Sequence, residues 1–342
     1  MLELHDPEGA FEELETYLEG LWGGDGLVAD LYLGYGLSAA IRRRATPGPP
    51  EPCPLPLIAC RIRPDARGGR VSTVGYEVGG WERTWDDEGY ADAIEAVRAA
   101  IARGDVYQAN LVQHLSAEFD GDPWALALAL RHLHPLAPRP LAGDGWAIIS
   151  ASPELFLARR GDRLVTMPIK GTRPAGIDVE GEKDGAEHMM IVDLERNDLA
   201  RVCEPGSVRW PELMAQHELA GVTHLVSTVE GRLRPDVGLG AILDATFPGG
   251  SVTGAPKIAA VDLIASLEPV GRGASMGALG VVHSDGDFDL ALTIRTLAVA
   301  EGRVHLWVGG GIVWDSDPEA EIEESWVKAR PLLAAVGSLV PA

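Results

Sequence analysis

The sequence predicts an α+β fold built on largely antiparallel sheets, and three observations carry that expectation. Strand-like segments follow one another directly as often as they are separated by helices, unlike the regular alternation of a doubly wound parallel sheet. Helical spacing is confined to a few bounded stretches. Hydrophobic residues make up 46% of 342, enough to bury a large core in one large domain or two small ones.

Taken in order, the first ninety residues are the least patterned. They carry glycine pairs, a basic cluster at Arg42 to Arg44, and the proline-rich run TPGPPEPCPLP at 46–56, which reads as a surface loop. From Tyr90 the pattern sharpens: Ile94, Val97 and Ile101 recur at helical spacing before Gly104. YQANLVQHLSAEF then alternates as a strand, with Gln108, Asn110, Val112 and His114 on one face. Further strands are predicted at WAIISASPELFLARR, DRLVTMPIK, GALGVVHS, FDLALTIRTLAVA and RVHLWVGGGIVW, and helices over 184–202, 255–267 and 318–335. No repeat or low-complexity tract interrupts them.

The balance of 29 basic against 51 acidic residues gives a formal charge of −22, which opposes binding to nucleic acid or an anionic membrane. An anionic substrate would therefore need local cations, from placed Lys and Arg or from a metal. No stretch approaches the roughly 20 apolar residues of a membrane span, and the acidic start MLELHDPEGA lacks a basic signal-peptide region, so a cytoplasmic location is expected. Cys53, Cys60 and Cys203 are too few and too scattered for a disulfide framework or a zinc site.

Four segments carry candidate chemistry, each with a bland alternative. In EKDGAEHMMIVDLERNDLARVC, Glu187, Ile191, Leu194 and Asp198 share one helical face, where a carboxylate must be paired, metal-bound or solvated at the edge. In DSDPEAEIEESWVKAR, Asp317 is placed to cap a helix with Pro318 at its first position, and Glu321, Glu324 and Lys328 share a face. That face suits either a Mg²⁺ site or an acidic helix start with a surface Glu-Lys pair. The glycine-rich FPGGSVTGAPK and VGGGIVWDS either present backbone N–H groups to a carboxylate or are turns needing positive φ. Lys170, in TMPIKGTRP, is either a solvated strand end or a nucleophile whose pKa of about 10.4 is lowered by burial or a nearby cation.

Together, GDVYQANLVQ, SPELFL, PIKGTRP, AEHMMIVDLERNDLARVCEPGSV, THLVSTVEG, FPGGSVTGAPK, LTIRT, GGGIV and EAEIEES, in that order over about residues 90 to 335, resemble the chorismate-utilising enzyme family. The resemblance implies a single large sandwich of two mostly antiparallel sheets flanked by helices. Within one compact unit, residues 1–89 would be a shortened N-terminal part and 90–342 the chorismate-binding catalytic core. It implies Glu187 and Glu324 as Mg²⁺ ligands, with Glu321 acting through water, and His224 near the leaving hydroxyl. Gly171, Thr172, Ser251, Arg295, Gly309, Gly310, Gly311 and Lys328 match substrate-contacting positions, and Glu154 matches a general acid/base.

Anthranilate synthases that resemble this chain carry Ala at the position of Lys170. The resemblance therefore implies conversion of chorismate and ammonia to 4-amino-4-deoxychorismate through a covalent Lys170 intermediate, a step towards para-aminobenzoate and folate or a specialised product. Anthranilate formation is the alternative. Isochorismate and salicylate synthases carry a lysine where Gln108 stands, which disfavours those activities. A non-catalytic chorismate-binding subunit is opposed by the intact Glu154, Lys170, Glu187 and Glu324. No glutaminase cysteine elbow is evident, so ammonia is expected from a glutamine amidotransferase subunit or from solution. Two departures stand out: Gly280-Val281 replaces a Gly-Tyr, and no acidic-serine motif for tryptophan feedback is evident.

Overall fold

The structure, a computed structural model, describes residues 1–44, 47–65, 74–174, 182–219 and 222–337; of 172–174, 182–184, 186, 218–219 and 222–224 it describes the backbone alone. The N-terminal third runs β1 (Leu2–Leu4), α1 (Ala10–Leu18), β2 (Leu27–Leu33), β3 (Ile58–Pro64), β4 (Tyr76–Val78), β5 (Glu82–Arg83), α2 (Asp87–Ala102) and β6 (Gln108–Gly121). The middle runs α3 (Pro123–Leu130), β7 (Leu141–Ala142), β8 (Trp146–Ser150), β9 (Leu155–Arg160), β10 (Arg163–Met167), β11 (Ile169–Pro174), α4 (Glu182–Ala200), β12 (Arg209–Leu219) and β13 (Val222–Arg232). The last third runs α5 (Leu239–Thr246), β14 (Gly254–Ala255), α6 (Lys257–Leu267), β15 (Ala278–His283), β16 (Phe288–Leu292), β17 (Thr296–Ala300), β18 (Arg303–Ile312) and α7 (Pro318–Ala335).

Among the described residues the strands form two sheets. A 10-stranded sheet follows the order β1-β3-β2-β15-β16-β9-β10-β13-β11, with β12 on β13, and an 8-stranded sheet follows β14-β6-β18-β17-β8-β7, with β4 and β5 on β6. Every pairing is antiparallel, in agreement with the fold class predicted. Residues 1–64, the least readable in sequence, supply three strands of the larger sheet, and their buried side chains join the same core as Phe156, Leu290 and Trp307. A second core lies under α3 and α7, where Leu126, Leu130, Trp326 and Leu332 cover Leu115, Ile149 and Leu306. A third lies under α2 and α6, where Tyr90, Ile94 and Ile264 cover Ala109 and Leu111.

DRLVTMPIK is two strands of the larger sheet, broken at Pro168, and two other segments predicted as single strands are each two strands in different sheets. WAIISASPELFLARR breaks between Ser150 and Leu155, and FDLALTIRTLAVA between Leu292 and Thr296; in each case the chain leaves one sheet and enters the other. The corners lie side by side: Ala151 N donates to the Arg295 carbonyl at 3.0 Å, and Leu292 N to the Glu154 carbonyl at 3.0 Å. Arg295 takes a left-handed φ of 49° to make its turn. Glu154 and Arg295 are thereby set on the seam between the sheets.

Candidate active site

β6 presents Gln108 at its start, fully buried, and Gln108 Nε2 donates to Glu187 Oε1 at 2.8 Å. Lys170 Nζ pairs with the same oxygen at 2.8 Å and reaches the Ser251 carbonyl at 3.4 Å. A bulge puts the lysine there. The register between β11 and β13 shifts between Lys170 and Thr172, and Gly171 between them takes a φ of 60°, which costs a residue without Cβ little. Thr172 stands opposite His224 in the ladder; the side chains of both lie outside the described residues.

Lys170 departs from the sequence expectation in one respect. Burial pulls its pKa down as expected, but Glu187, with Glu154 and Glu324 behind it, outweighs burial and holds the ammonium above its ordinary range. It stands as a charged partner of Glu187, whereas the sequence reading required a lowered pKa. Glu187 is not alone on its helix face: Lys170 and Gln108 both hold it, and its side chain stays 12% exposed.

Glu154 is 4% exposed. Its Oε1 accepts from Ser251 Oγ at 2.7 Å and, more weakly, from Ile169 N at 3.4 Å. Burial raises its pKa; the Ser251 hydroxyl, Lys170, the Ile169 N–H and Arg295 pull the other way without cancelling it. Held towards its protonated form, a carboxyl so placed can give and take a proton. The Arg295 guanidinium has no hydrogen-bond or ion-pair partner among the described residues, and burial lowers its pKa against the opposing pull of Glu154.

β18 supplies the glycines. Gly309 accepts from Lys328 Nζ at 2.8 Å, and Lys328 also pairs with Glu324 at 2.8 Å, one turn back on α7. A methyl group on Gly310 would stand 3.3 Å from Lys328 Nζ and 3.5 Å from both Glu321 Oε2 and Glu324 Oε1. On Gly311 it would stand 2.0 Å from Gln108 Nε2 and 2.6 Å from Glu187 Oε1, so only glycine lets that pair lie against the strand. Glu187 therefore lies over Gly311, and Glu321 and Glu324 lie over Gly310.

Among the described residues no three His, Cys, Asp or Glu side chains stand close enough together to hold a metal ion. The three predicted ligands reach adjacent glycines of one strand but do not meet at a point. Their donor set still fits Mg²⁺, because all donors are carboxylate oxygens and Mg²⁺ is commonly held by one or two carboxylates together with water.

Several supporting contacts escaped the sequence reading. His188 Nε2 and Ser227 Oγ lie 2.6 Å apart, tying α4 to β13 beside Glu187. Asp198, predicted on the apolar face of α4, is paired with Lys257 at 2.6 Å. Glu195, on the same inward side, accepts from Thr166 Oγ1 at 3.0 Å. The 187, 191, 195, 198 spacing was the available signal for Glu195, because it completes the stripe. Cys53, Cys60 and Cys203 are buried free thiols. No helix among the described residues is long and apolar enough to cross a membrane.

Residues 72–334 match the family described as chorismate binding enzyme, and the chain belongs to that family. It is 41% identical over 268 residues to aminodeoxychorismate synthase component 1 of Klebsiella aerogenes, covering 74% of this chain and 59% of that protein. It is 42% identical over 273 residues to anthranilate synthase component 1 of Streptomyces coelicolor, covering 75% and 53%. The chain thus spans little more than half the length of these relatives. Anthranilate synthase component I from Streptococcus pneumoniae superposes with a TM-score of 0.78 at 27% identity, covering 93% of this chain and 85% of that one. MenF, the menaquinone-specific isochorismate synthase of Escherichia coli, shares the fold at a TM-score of 0.75 and 18% identity, over 98% of this chain and 84% of that one.

Proposed function

We propose that this chain uses chorismate and ammonia to form 4-amino-4-deoxychorismate, with Lys170 as a covalent nucleophile. The observation that carries the reading is Lys170 itself, turned by the Gly171 bulge into a buried setting beside Glu187 and in the field of Glu154. In this reading the amine attacks C2 of chorismate as the C4 hydroxyl leaves. Ammonia then enters at C4 and expels the lysine. Glu154 donates and recovers the proton, held on the seam by Ser251, while His224 lies near the leaving hydroxyl. Arg295 and Lys328 supply the local cations that a chain of charge −22 needs to hold a dicarboxylate. Glu187 and Glu324, with Glu321 through water, would hold Mg²⁺, which supplies Lewis-acid assistance when bound. The Lys170 ammonium must lose a proton before attack, so its pairing with Glu187 has to loosen in the productive state.

The alternative is anthranilate formation, favoured by relatives of that name at equal identity. One incubation separates the two: chorismate, Mg²⁺ and ammonium, with the product identified before and after addition of a lyase that removes pyruvate. Aminodeoxychorismate that yields para-aminobenzoate only with the lyase supports the proposal; anthranilate formed directly sinks it. Relatives named as component 1 favour a separate ammonia-supplying component. Glutamine should then support turnover only when a glutamine amidotransferase is added.

A further inference from the structure

The proline-rich run has no part in the chemistry above, yet it is more than the surface loop expected from its sequence. Over residues 47–56 it is tied to the turn that follows α6. The Pro50 carbonyl accepts from Gly271 N at 2.8 Å, and Glu51 Oε2 accepts from Gly273 N at 2.9 Å. A methyl group on Gly271 would stand 2.3 Å from the Glu51 carboxyl carbon, so only glycine lets the carboxylate lie against that turn. Before the run, Arg42 pairs with Asp262 of α6 at 3.6 Å; after it, Leu57 N donates to the Leu4 carbonyl at 2.7 Å. The run is a strap anchored at both ends and latched in the middle.

What the latch holds is Arg272, which stands between the two glycines. Their carbonyls are held as well: Trp307 Nε1 donates to Gly271 O at 3.0 Å and the Tyr32 hydroxyl to Gly273 O at 3.1 Å. From this clamped backbone the guanidinium, in a residue 2% exposed, meets both oxygens of Glu268 and donates to the Val252 carbonyl at 2.8 Å and the Asn110 carbonyl at 2.6 Å. Val252 follows Ser251, whose hydroxyl donates to Glu154 at 2.7 Å. Two backbone bonds close the Ser251 turn, Asn110 N to the Thr253 carbonyl at 2.7 Å and Thr253 N to the Gly250 carbonyl at 3.3 Å.

We propose that Glu51 is a positioning residue for the Ser251 hydroxyl, acting through Gly273 and Arg272. The path alternates hydrogen bonds with peptide bonds: Glu51 to Gly273 N, Gly273 to Arg272, Arg272 to the Val252 carbonyl, and Val252 to Ser251. It runs inward, since Glu51 is exposed whereas Arg272, Val252 and Ser251 are buried. A carboxylate accepting from a backbone N–H makes a stronger bond than a neutral acceptor does. Without it the glycine turn is free to shift, Arg272 loses its aim, and the Val252 carbonyl moves with it. Ser251 then meets Glu154 at a poorer distance and angle, to which hydrogen bonds are sensitive.

The inference rests on the part given to Ser251 and Glu154 above, and the test separates the two. Turnover is followed as chorismate consumed with Mg²⁺ and saturating ammonium, a measure independent of which product forms. Glu51→Ala should lower kcat by about tenfold and move KM by less than about threefold. Glu51→Gln, whose amide oxygen can still accept from Gly273 N, should restore most of the loss. In a Ser251→Ala background the same Glu51→Ala change should cost less than about twofold, because no hydroxyl is left to misplace. Hydrogen exchange at the Asn110 and Thr253 amides should be about tenfold faster in Glu51→Ala than in wild type or Glu51→Gln. A strap that only adds stability would give losses that multiply in the double variant. Multiplied losses, or unchanged exchange at both amides, would overturn the proposal. Exchange decides alone where Ser251→Ala is fully active, which removes the part given to Ser251, or too slow to measure.

Discussion

Two buried ion pairs flank the first turns of β6, and they are built in opposite ways. Arg272 and Glu268 use every group they have: the guanidinium donates to both Glu268 oxygens, to the Val252 carbonyl at 2.8 Å and to the Asn110 carbonyl at 2.6 Å, and lies 4.5 Å over the Tyr35 ring. Glu268 also accepts from Val112 N at 3.1 Å. Lys170 and Glu187 are joined by one short contact, Gln108 donates to the same Glu187 oxygen, and Gln108 Oε1 is buried without a partner among the described residues. A fully satisfied pair fixes a structure, whereas a half-satisfied one is ready to exchange partners. The first braces the strand and the Ser251 loop that the second works between.

The largest expected effect breaks the brace. Arg272→Met leaves Glu268 buried and unpaired and should cost about 3–5 kcal/mol of stability in urea unfolding. Lys170→Met should cost less than half of that, because Glu187 keeps Gln108 and some solvent. Equal losses from both would erase the distinction.

Next come the working residues. Glu187→Gln or Glu324→Gln should lower turnover by more than about a hundredfold, since loss of mere outer-shell partners of a metal already costs 10–100-fold. Wild type in excess chelator should behave alike, and full activity in any of these cases would end the Mg²⁺ assignment. Lys170→Arg should also fail, because a guanidinium stays protonated. With chorismate and no ammonia, wild type should show a covalent adduct on the Lys170 peptide by mass after rapid quenching. An active Lys170→Arg enzyme would reduce the lysine to a counter-charge.

An effect that shows only in acid concerns histidines at the far end of the same strand face. His114 Nε2 and His305 Nδ1 lie 3.1 Å apart, and Thr84 Oγ1 is 2.6 Å from His114 Nδ1. Burial lowers their pKa values to about 3 and about 4. The unfolded chain binds more protons than the folded one below about 6.5, so their contribution is complete above that pH and is lost as pH falls towards 4. Each proton adds a slope of about 1.4 kcal/mol per pH unit, which a double His→Gln variant should remove from pH-dependent unfolding.

What was legible in the sequence follows from range. Helices set by local periodicity came within two or three residues of their limits: 184–202 against Glu182–Ala200, and 318–335 against Pro318–Ala335. Asp317 caps α7 as predicted, accepting from Ala320 N at 3.0 Å. The corners at Ser150 to Leu155 and Leu292 to Thr296 were not legible, because alternation continues through them and only the second sheet decides where the chain turns. The strands β2 and β3 were missed because a long proline-rich connection separates two pieces that pair only in space. The same holds for Lys170, whose charge is decided by Glu187, 17 residues along the chain and outside any local window.

The paired corners have a mechanical consequence. Because β8 to β9 and β16 to β17 change sheets at the same place and are stitched there by two backbone hydrogen bonds, the sheets are riveted where Glu154 and Arg295 sit. Sliding one sheet over the other would pull on both chain crossings, which the 2.9 Å contact between Ser150 Oγ and Thr296 Oγ1 holds side by side in the smaller sheet. The acid and the guanidinium therefore keep a fixed spacing while ligands come and go, and any opening for substrate has to come from the helices and loops around the rivet.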